Sequence, residues 1–264
     1  MDDRMTGSMN SHLLYTCILC YNLCLLINIR KEREQHDTKY YMYGDFFDFE
    51  GLIFKTGKKV TLEKHSPIKQ FNEPADKFYY VRSGLVRAVV LHSDGNEKAL
   101  YVAGSGCLLP QFSPHGMPKW EENLLMEAYT DVEAILLTRS ELEELAGRNY
   151  PLMEKMLDVA VCLQHSLAAQ MLSQMYDDGM VRVCQLLYFH IANRHIKHTH
   201  PVECVKISQQ DIAMLTGLNR VNANKVLQQL KKEEAIDIQR KRIKILDVER
   251  ITEHCNGDVN MGEW

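Results

Sequence analysis

The 264-residue chain has few cysteines, no large charge excess, only one long apolar run and no recognisable catalytic constellation. Eight cysteines at this length, five of them scattered singly, are too few for a disulfide scaffold, so a reducing cytoplasm is the expected compartment. A formal net charge of −4 excludes a protein basic throughout, although a sum can conceal a basic segment. The hydrophobic share of 45% and the charged share of 25% are globular averages, which excludes a wholly disordered, collagen-like or polytopic membrane chain. No nucleophile–base pair, paired carboxylate or metal motif stands out, so no enzyme is expected and no cofactor is assigned. The length admits one large domain or two modest ones, each with its own core.

The apolar run, LLYTCILCYNLCLLINI from Leu13 to Ile29, is broken by Thr16, Asn22 and Asn28 and followed at once by RKEREQHD. It lies at the lower limit for a bilayer-spanning helix, about 17–25 apolar residues. A secretory signal is disfavoured, because Asp2 and Asp3 oppose Arg4 and no small-residue cleavage site follows. The preferred reading is that residues 1–41 stand outside the folded protein and that translation begins at Met42. The alternative is a membrane anchor with the Arg30 to Arg33 side held in the cytoplasm. Cys17, Cys20 and Cys24 form a C-x2-C-x3-C cluster that an iron–sulfur centre could use, but a fourth thiolate would have to come from elsewhere. The ordinary reading is three small hydrophobes in an apolar segment.

From about Val60 to Thr138 short strands alternate with turns. FYYVRSGLVRAVVLHSDGNEKALYVAGSG reads as strands Phe78–Val81, Leu85–His92 and Glu97–Val102, with turns at Ser83-Gly84 and Asp94-Gly95. Another strand is expected at Val132–Thr138. Such a pattern points to a small barrel or jelly roll able to enclose one small ligand. Ser140 and Glu143 read as a capping box opening a short helix, and Pro151 suits the first turn of a long helix running to about Gln174. Within it Met153, Met156, Ala160, Leu163 and Leu167 keep the 3-4 alternation of a dimer seam, while Leu157, Val161 and Met171 offer a second apolar face to cover the roll.

The most specific signal is SQQDIAMLTGLNRVNANKVLQQL. Ser208 and Asp211 make a capping box, Ala213 is small where two helices must cross, and Gly217 supplies the turn at positive φ. Counted from Gln209, Ile212, Ala213, Gly217, Leu218, Ala223 and Val226 occupy the fourth, fifth, ninth, tenth, fifteenth and eighteenth positions, the packing positions of a DNA-binding helix-turn-helix. Arg220, Val221, Asn222, Asn224 and Lys225 then fall on the leading part of the second helix, where Arg can bond guanine and Asn adenine. AIDIQRKRIKIL follows as a β-hairpin wing around Arg240-Lys241. Leu218 to Leu246 holds eight Lys or Arg against three Asp or Glu, so the basic surface coincides with the motif. Phosphate contacts are expected from Ser208, Gln209, Lys231, Arg240 and Lys241.

FYYVRSGLVR, SDGNEKAL, AYTDVEAILLTRSELEEL and the helix-turn-helix together make residues 45–250 resemble the CRP/FNR family of bacterial transcription regulators. The resemblance implies an α+β fold: an N-terminal β-roll of the cyclic-nucleotide-binding type, a long dimerisation helix and a C-terminal winged helix-turn-helix. The expected division is 1–41 extension, 42–148 roll, 149–178 dimerisation helix, 179–250 DNA-binding domain and 251–264 tail. The Gly-Glu and Arg-Ser pairs that hold cyclic AMP in some members correspond here to Cys107–Pro110 and Leu124-Leu125, so a cyclic nucleotide is not the expected effector. DGNEKALYVAGSG, QFSPHG and Val221 are similar to the halophenol-responsive regulators of reductive dehalogenation. Leu163 and Ala160, however, stand where that group anchors its phenol.

By aligned position an effector pocket would use Tyr101, Leu109, Gln111, Leu163, Gln164 and Leu167 and suit a small apolar or aromatic acid. Val221 replaces the Glu that most relatives carry, implying altered base readout. His190, His195, His198 and His200 lack zinc-site spacing and read as a solvated linker. The expectation is a cytoplasmic homodimer on palindromic double-stranded DNA, gated by a small-molecule effector, with RNA polymerase as a partner if it activates. The alternatives are a redox regulator using Cys17, Cys20, Cys24 and Cys107, and a ligand-binding module that has lost DNA binding.

Overall fold

A computed structural model describes residues 39–42, 44–71, 76–95, 97–110, 122–192, 204–205, 207–239 and 242–255. The first half runs β1 (Tyr41–Met42), a single 3-10 turn (Phe47–Phe49), α1 (Glu50–Thr56), β2 (Lys58–Leu62), β3 (Pro67–Lys69), β4 (Lys77–Ser83), β5 (Val86–Leu91), β6 (Glu97–Ala103), β7 (Leu108–Leu109), β8 (Leu124–Ala128) and β9 (Val132–Thr138). Two sheets face each other, ordered β1-β6-β5-β8-β3 and β2-β9-β4-β7. Every pairing is antiparallel except β1 on β6, where Tyr41 registers with Val102. Phe78, Tyr80, Leu109, Met126, Ile135 and Leu137 are completely buried between the sheets and form the roll's core. Gly84 makes the β4–β5 turn at φ +90°, and a Cβ there would lie 2.2 Å from the Asp131 carbonyl oxygen. The chain therefore requires glycine at this turn.

Helix α2 (Arg139–Arg148) follows β9 without a loop, and α3 (Tyr150–Tyr176) follows directly. The capping box of α2 lies two residues earlier than expected. The Thr138 hydroxyl accepts from Glu141 N–H and the Glu141 carboxylate accepts from Thr138 N–H at 2.7 Å, because β9 passes straight into the helix. These hydrogen bonds to the charged form hold the Glu141 carboxyl below its ordinary range. Pro151 sits in the first turn of α3, as expected, beneath an Asn149 cap.

The two expected apolar stripes of α3 do not stay apart in the protomer: Met153 of the expected seam is exposed, but so are Leu157 and Met171 of the second face, and Val161 is half-buried. Met156 and Leu163, expected in the dimer seam, pack with Leu152 and Val159 on the roll core, whereas Met153, Leu157, Met171 and Met175 are exposed. Ala160 and Leu167 lie half-buried between the faces. Both stripes keep helical spacing, and only the site where the roll docks decides which residues are covered.

The second half runs α4 (Gly179–Ala192), β10 (Cys204–Val205), α5 (Gln209–Thr216), α6 (Arg220–Lys232), β11 (Ile236–Gln239), β12 (Arg242–Ile245) and α7 (Val248–Glu253). β12 lies between β10 and β11, so the expected hairpin gains a third strand. Ile251 and Cys255 are fully buried with Leu186, Leu187 and Ile243, which carries the domain past residue 250 into the expected tail. At the other end Lys39, Tyr40 and Tyr41 are buried in the folded body, so the extension expected to reach residue 41 stops short of it. Tyr40 and Tyr41 share one apolar cluster with Val89, Ala99 and Val102 of the roll and with the core of the second half.

Candidate nucleic-acid interface

The helix-turn-helix forms as its spacing requires. The Ser208 hydroxyl accepts from Asp211 N–H at 3.1 Å and the Asp211 carboxylate accepts from Ser208 N–H at 3.1 Å, closing the expected capping box. Gly217 ends α5 at φ +68°, in the left-handed region. The Asn219 side chain then caps α6 by accepting from Asn222 N–H at 2.8 Å. Ile212, Ala213, Ala223 and Leu227 are buried where α5 and α6 cross, and Leu218 and Val226 pack on the same cluster.

This packing turns the other face of α6 outward. Arg220, Val221, Asn222, Asn224 and Lys225 are all exposed in its leading turns, with Val221 65% exposed although apolar. Three guanidinium or amide side chains and one ammonium thus project from two turns of a helix whose opposite side is anchored. That arrangement suits base edges in a major groove.

The expected phosphate contacts divide. Ser208 and Gln209 are half-buried, and Lys231 is exposed but pairs with Asp237 of the hairpin at 3.5 Å. Arg240 and Lys241 lie outside the described residues. Arg242 and Lys244 project from β12, alternating with buried Ile243 and Ile245, and extend the basic wing. The period-2 pattern RIKI carried that information in the sequence.

The leading end of α5 abuts the roll. Tyr129 donates its hydroxyl to Asp211 Oδ2 at 2.7 Å, and an Arg87 nitrogen lies 3.7 Å from Asp211 Oδ1. Arg87 also donates to Glu127 Oε1 at 2.7 Å. Lys98 donates to the Leu215 carbonyl, and Arg182 of α4 donates to the Thr216 carbonyl at 2.8 Å. Burial, and after it the charge of Arg182, brings Lys98 down to about 8. Burial beside the Asp211 carboxylate pushes the Tyr129 hydroxyl up. Between roll and α5 remains a cavity of about 30 Å³ bordered by Tyr41, Arg87, Tyr129, His190 and Met214, room for roughly one water.

Of the expected effector residues, Tyr101 and Leu109 are buried in the roll core and Leu163 packs against it. Leu167 is half-buried, Gln164 is exposed and does not line that core, and Gln111 lies outside the described residues. Cys107, Leu108 and Leu124, at the positions compared with phosphate-binding pairs, are buried and carry no cation. Burial drives the Cys107 thiol well above its ordinary range, which works against a thiolate ligand. Cys17, Cys20 and Cys24 lie outside the described residues, as do His195, His198 and His200. His190, expected in a solvated linker, is instead buried on α4 with Nδ1 3.0 Å from the Tyr41 hydroxyl. Among the described residues no group of three His, Cys, Asp or Glu is placed to hold a metal, and no helix is long and apolar enough to cross a membrane.

Residues 181–253 match the Crp-like helix-turn-helix domain, and residues 59–149 match the cyclic nucleotide-binding domain. No curated protein matches the chain. Among solved structures, FixK2 from Bradyrhizobium japonicum is 22% identical, with 75% of this chain and 96% of that one covered at a TM-score of 0.62. CprK complexed with OCPA is 17% identical over 81% and 100% of the two chains, with a TM-score of 0.59. CLP from Xanthomonas campestris, described as a c-di-GMP responsive global regulator, is 18% identical over 74% and 96%, with a TM-score of 0.63. Likeness at these identities speaks to the fold; the two domain matches, in this order on one chain, speak to the family.

Proposed function

This chain belongs to the CRP/FNR family of transcription regulators, and on that premise we propose that it acts as a homodimer whose grip on DNA is gated by a small molecule other than a cyclic nucleotide. The observation that carries the reading is α6: its inner side is locked by Ala223, Leu227 and Leu230 while Arg220, Asn222, Asn224 and Lys225 stand free in its leading turns. Arg220 bonds guanine O6 and N7 and the asparagines bond adenine. Val221 offers only an apolar contact, such as to a thymine methyl, so the half-site differs from one read by Glu at that position. Lys231, Arg240, Lys241 and the exposed Arg242 and Lys244 hold the phosphates on either side.

Dimerisation uses the exposed stripe of α3. Met153 and Leu157 form one apolar, solvent-facing pair four residues apart and Met171 and Met175 another, and the fourteen residues from Leu157 to Met171 are two heptads, so all four lie on one face of the helix, the pattern of a seam open to a second copy. A two-fold dimer of this kind places two recognition helices on half-sites about 34–36 Å apart, one turn of duplex. The operator is therefore a palindrome, and the surface left free of DNA is available to RNA polymerase where the protein activates.

The effector enters the roll between Tyr101, Leu109, Leu163 and Leu167. With no cation at Cys107–Pro110 or Leu124, a phosphate there would be left unpaired, which favours a small apolar or aromatic ligand. The ligand acts by shifting the population of domain arrangements, and its differential affinity for the two sets the limit of the response. A mobility-shift assay on the DNA flanking its own coding sequence tests the reading. Retardation that survives competitor DNA is expected, and equal binding to flanking and random duplex would overturn it.

A further inference from the structure

Residues 39–42, which end in the roll's edge strand β1, reach three parts of the protomer. Lys39 is buried, its ammonium donating to Gln185 Oε1 on α4 at 2.9 Å and standing 3.7 Å from Asp177 Oδ2 at the end of α3. Its carbonyl accepts from Ser166 Oγ at 3.1 Å and from Gln170 Nε2 at 2.8 Å, both on α3. Gln170 also donates to the Leu100 carbonyl on β6. The Tyr40 carbonyl accepts from Val102 N–H at 2.9 Å, and the Tyr41 hydroxyl lies 3.0 Å from His190 Nδ1 on α4. Residues 39–42 thus bond to the roll, the long helix and the DNA-binding domain at once. A buried ammonium is tolerated only with partners in place, and the hydrogen-bond acceptor of Lys39, Gln185 on α4, is beside it only while the DNA-binding domain is docked.

The docked arrangement turns the leading end of the helix-turn-helix away from solvent. The Ser208–Asp211 capping box faces Tyr129 and Arg87, with the Glu127 carboxylate behind them. In a helix-turn-helix the first helix crosses the DNA backbone, and its amide end is where a phosphate would sit. A phosphate approaching here would meet the roll and two carboxylates.

We propose that residues 39–42 form a strap that holds the DNA-binding domain docked in a DNA-incompetent orientation, so that release of the strap is what admits DNA. This rests on the DNA-binding reading above and names the regulation of that interface. The test uses the full chain carrying Lys39→Met and Tyr41→Phe, which keep side-chain bulk and remove the bonds to Gln185, Asp177 and His190. The probe is a random-sequence duplex pool with no effector added, read by fluorescence anisotropy, alongside amide exchange in α5. The expected result is an affinity gain of about fivefold or more together with faster exchange in the first turn of α5.

A folded variant with unchanged or weaker affinity overturns the proposal. Should the double variant fail to fold, Tyr129→Phe on the opposite side of the dock must move affinity in the same direction, and its failure to do so is equally decisive. Faster α5 exchange in a protein that binds no duplex, wild type included, would uphold the strap and refute the DNA-binding reading instead.

Discussion

Raising the pH should weaken DNA binding through Lys98. Its ammonium donates across the domain boundary to the Leu215 carbonyl, and burial in the dock, reinforced by Arg182, lowers its pKa from 10.5 to about 8. When the domains part the ammonium regains water and its ordinary range. Between about pH 8 and 10.5 the docked form therefore binds fewer protons than the parted form, and linkage makes rising pH favour docking across that window. Below it both forms carry the proton and Lys98 contributes no slope. The whole displacement corresponds to about 3 kcal/mol. At about pH 9 roughly one pH unit of it is realised, about 1.4 kcal/mol or tenfold in the docking equilibrium.

Anisotropy titrations of one duplex at about pH 7 and about pH 9, wild type beside Lys98→Met, measure the effect. Wild type should lose up to about tenfold in affinity over that interval, with the Met variant flat by comparison. Identical slopes in the two proteins, or a wild-type affinity that rises with pH, would refute the reasoning.

Further predictions concern the DNA face, the seam and the roll. Arg220→Ala should erase discrimination between operator and random duplex at a cost of about 1–3 kcal/mol, whereas Arg240→Ala should weaken both alike and lower the salt slope by about 1. Binding isotherms over a salt series separate the two. Leu157→Glu, on the exposed stripe of α3, should leave a folded monomer by sedimentation, since it enters no core in the protomer. Met156→Ala, one residue away but packed on the roll, should instead lower thermal stability by about 2–3 kcal/mol with the dimer retained. Gly84→Ala should destabilise the roll by about 2–4 kcal/mol in denaturant titrations, because the backbone there is left-handed and the added Cβ would fall 2.2 Å from the Asp131 oxygen.

Local chemistry made much of this molecule legible. Val132–Thr138 is a strand as its alternation requires, Gly84, Gly95 and Gly217 all adopt positive φ at expected turns, and Ser208–Asp211 closes its capping box. Each of these signals is complete within a few residues. What was hidden depends on distant partners. The stripes of α3 are equivalent by period, so nothing along the helix says that Met156 and Leu163 meet the roll. Lys39 falls by sequence in the extension expected outside the folded protein, and only Gln185 and Asp177, far along the chain, bring it inside. The two-residue strand β10 is too short to carry a pattern, and Ile251 and Cys255 join the core only because α7 folds back on it. The candidate interface was legible where it is a helix with one apolar face. Its docking onto Tyr129 and Arg87 was not, because no sequence period records a contact between domains.

Two copies of α6 are expected to read a symmetric operator. Footprinting the dimer on the DNA flanking its coding sequence tests this most directly. Two protected half-sites related by a dyad and centred about one helical turn apart are predicted, with Arg220→Ala abolishing both together. A single asymmetric footprint, or protection indifferent to Arg220, would contradict the account.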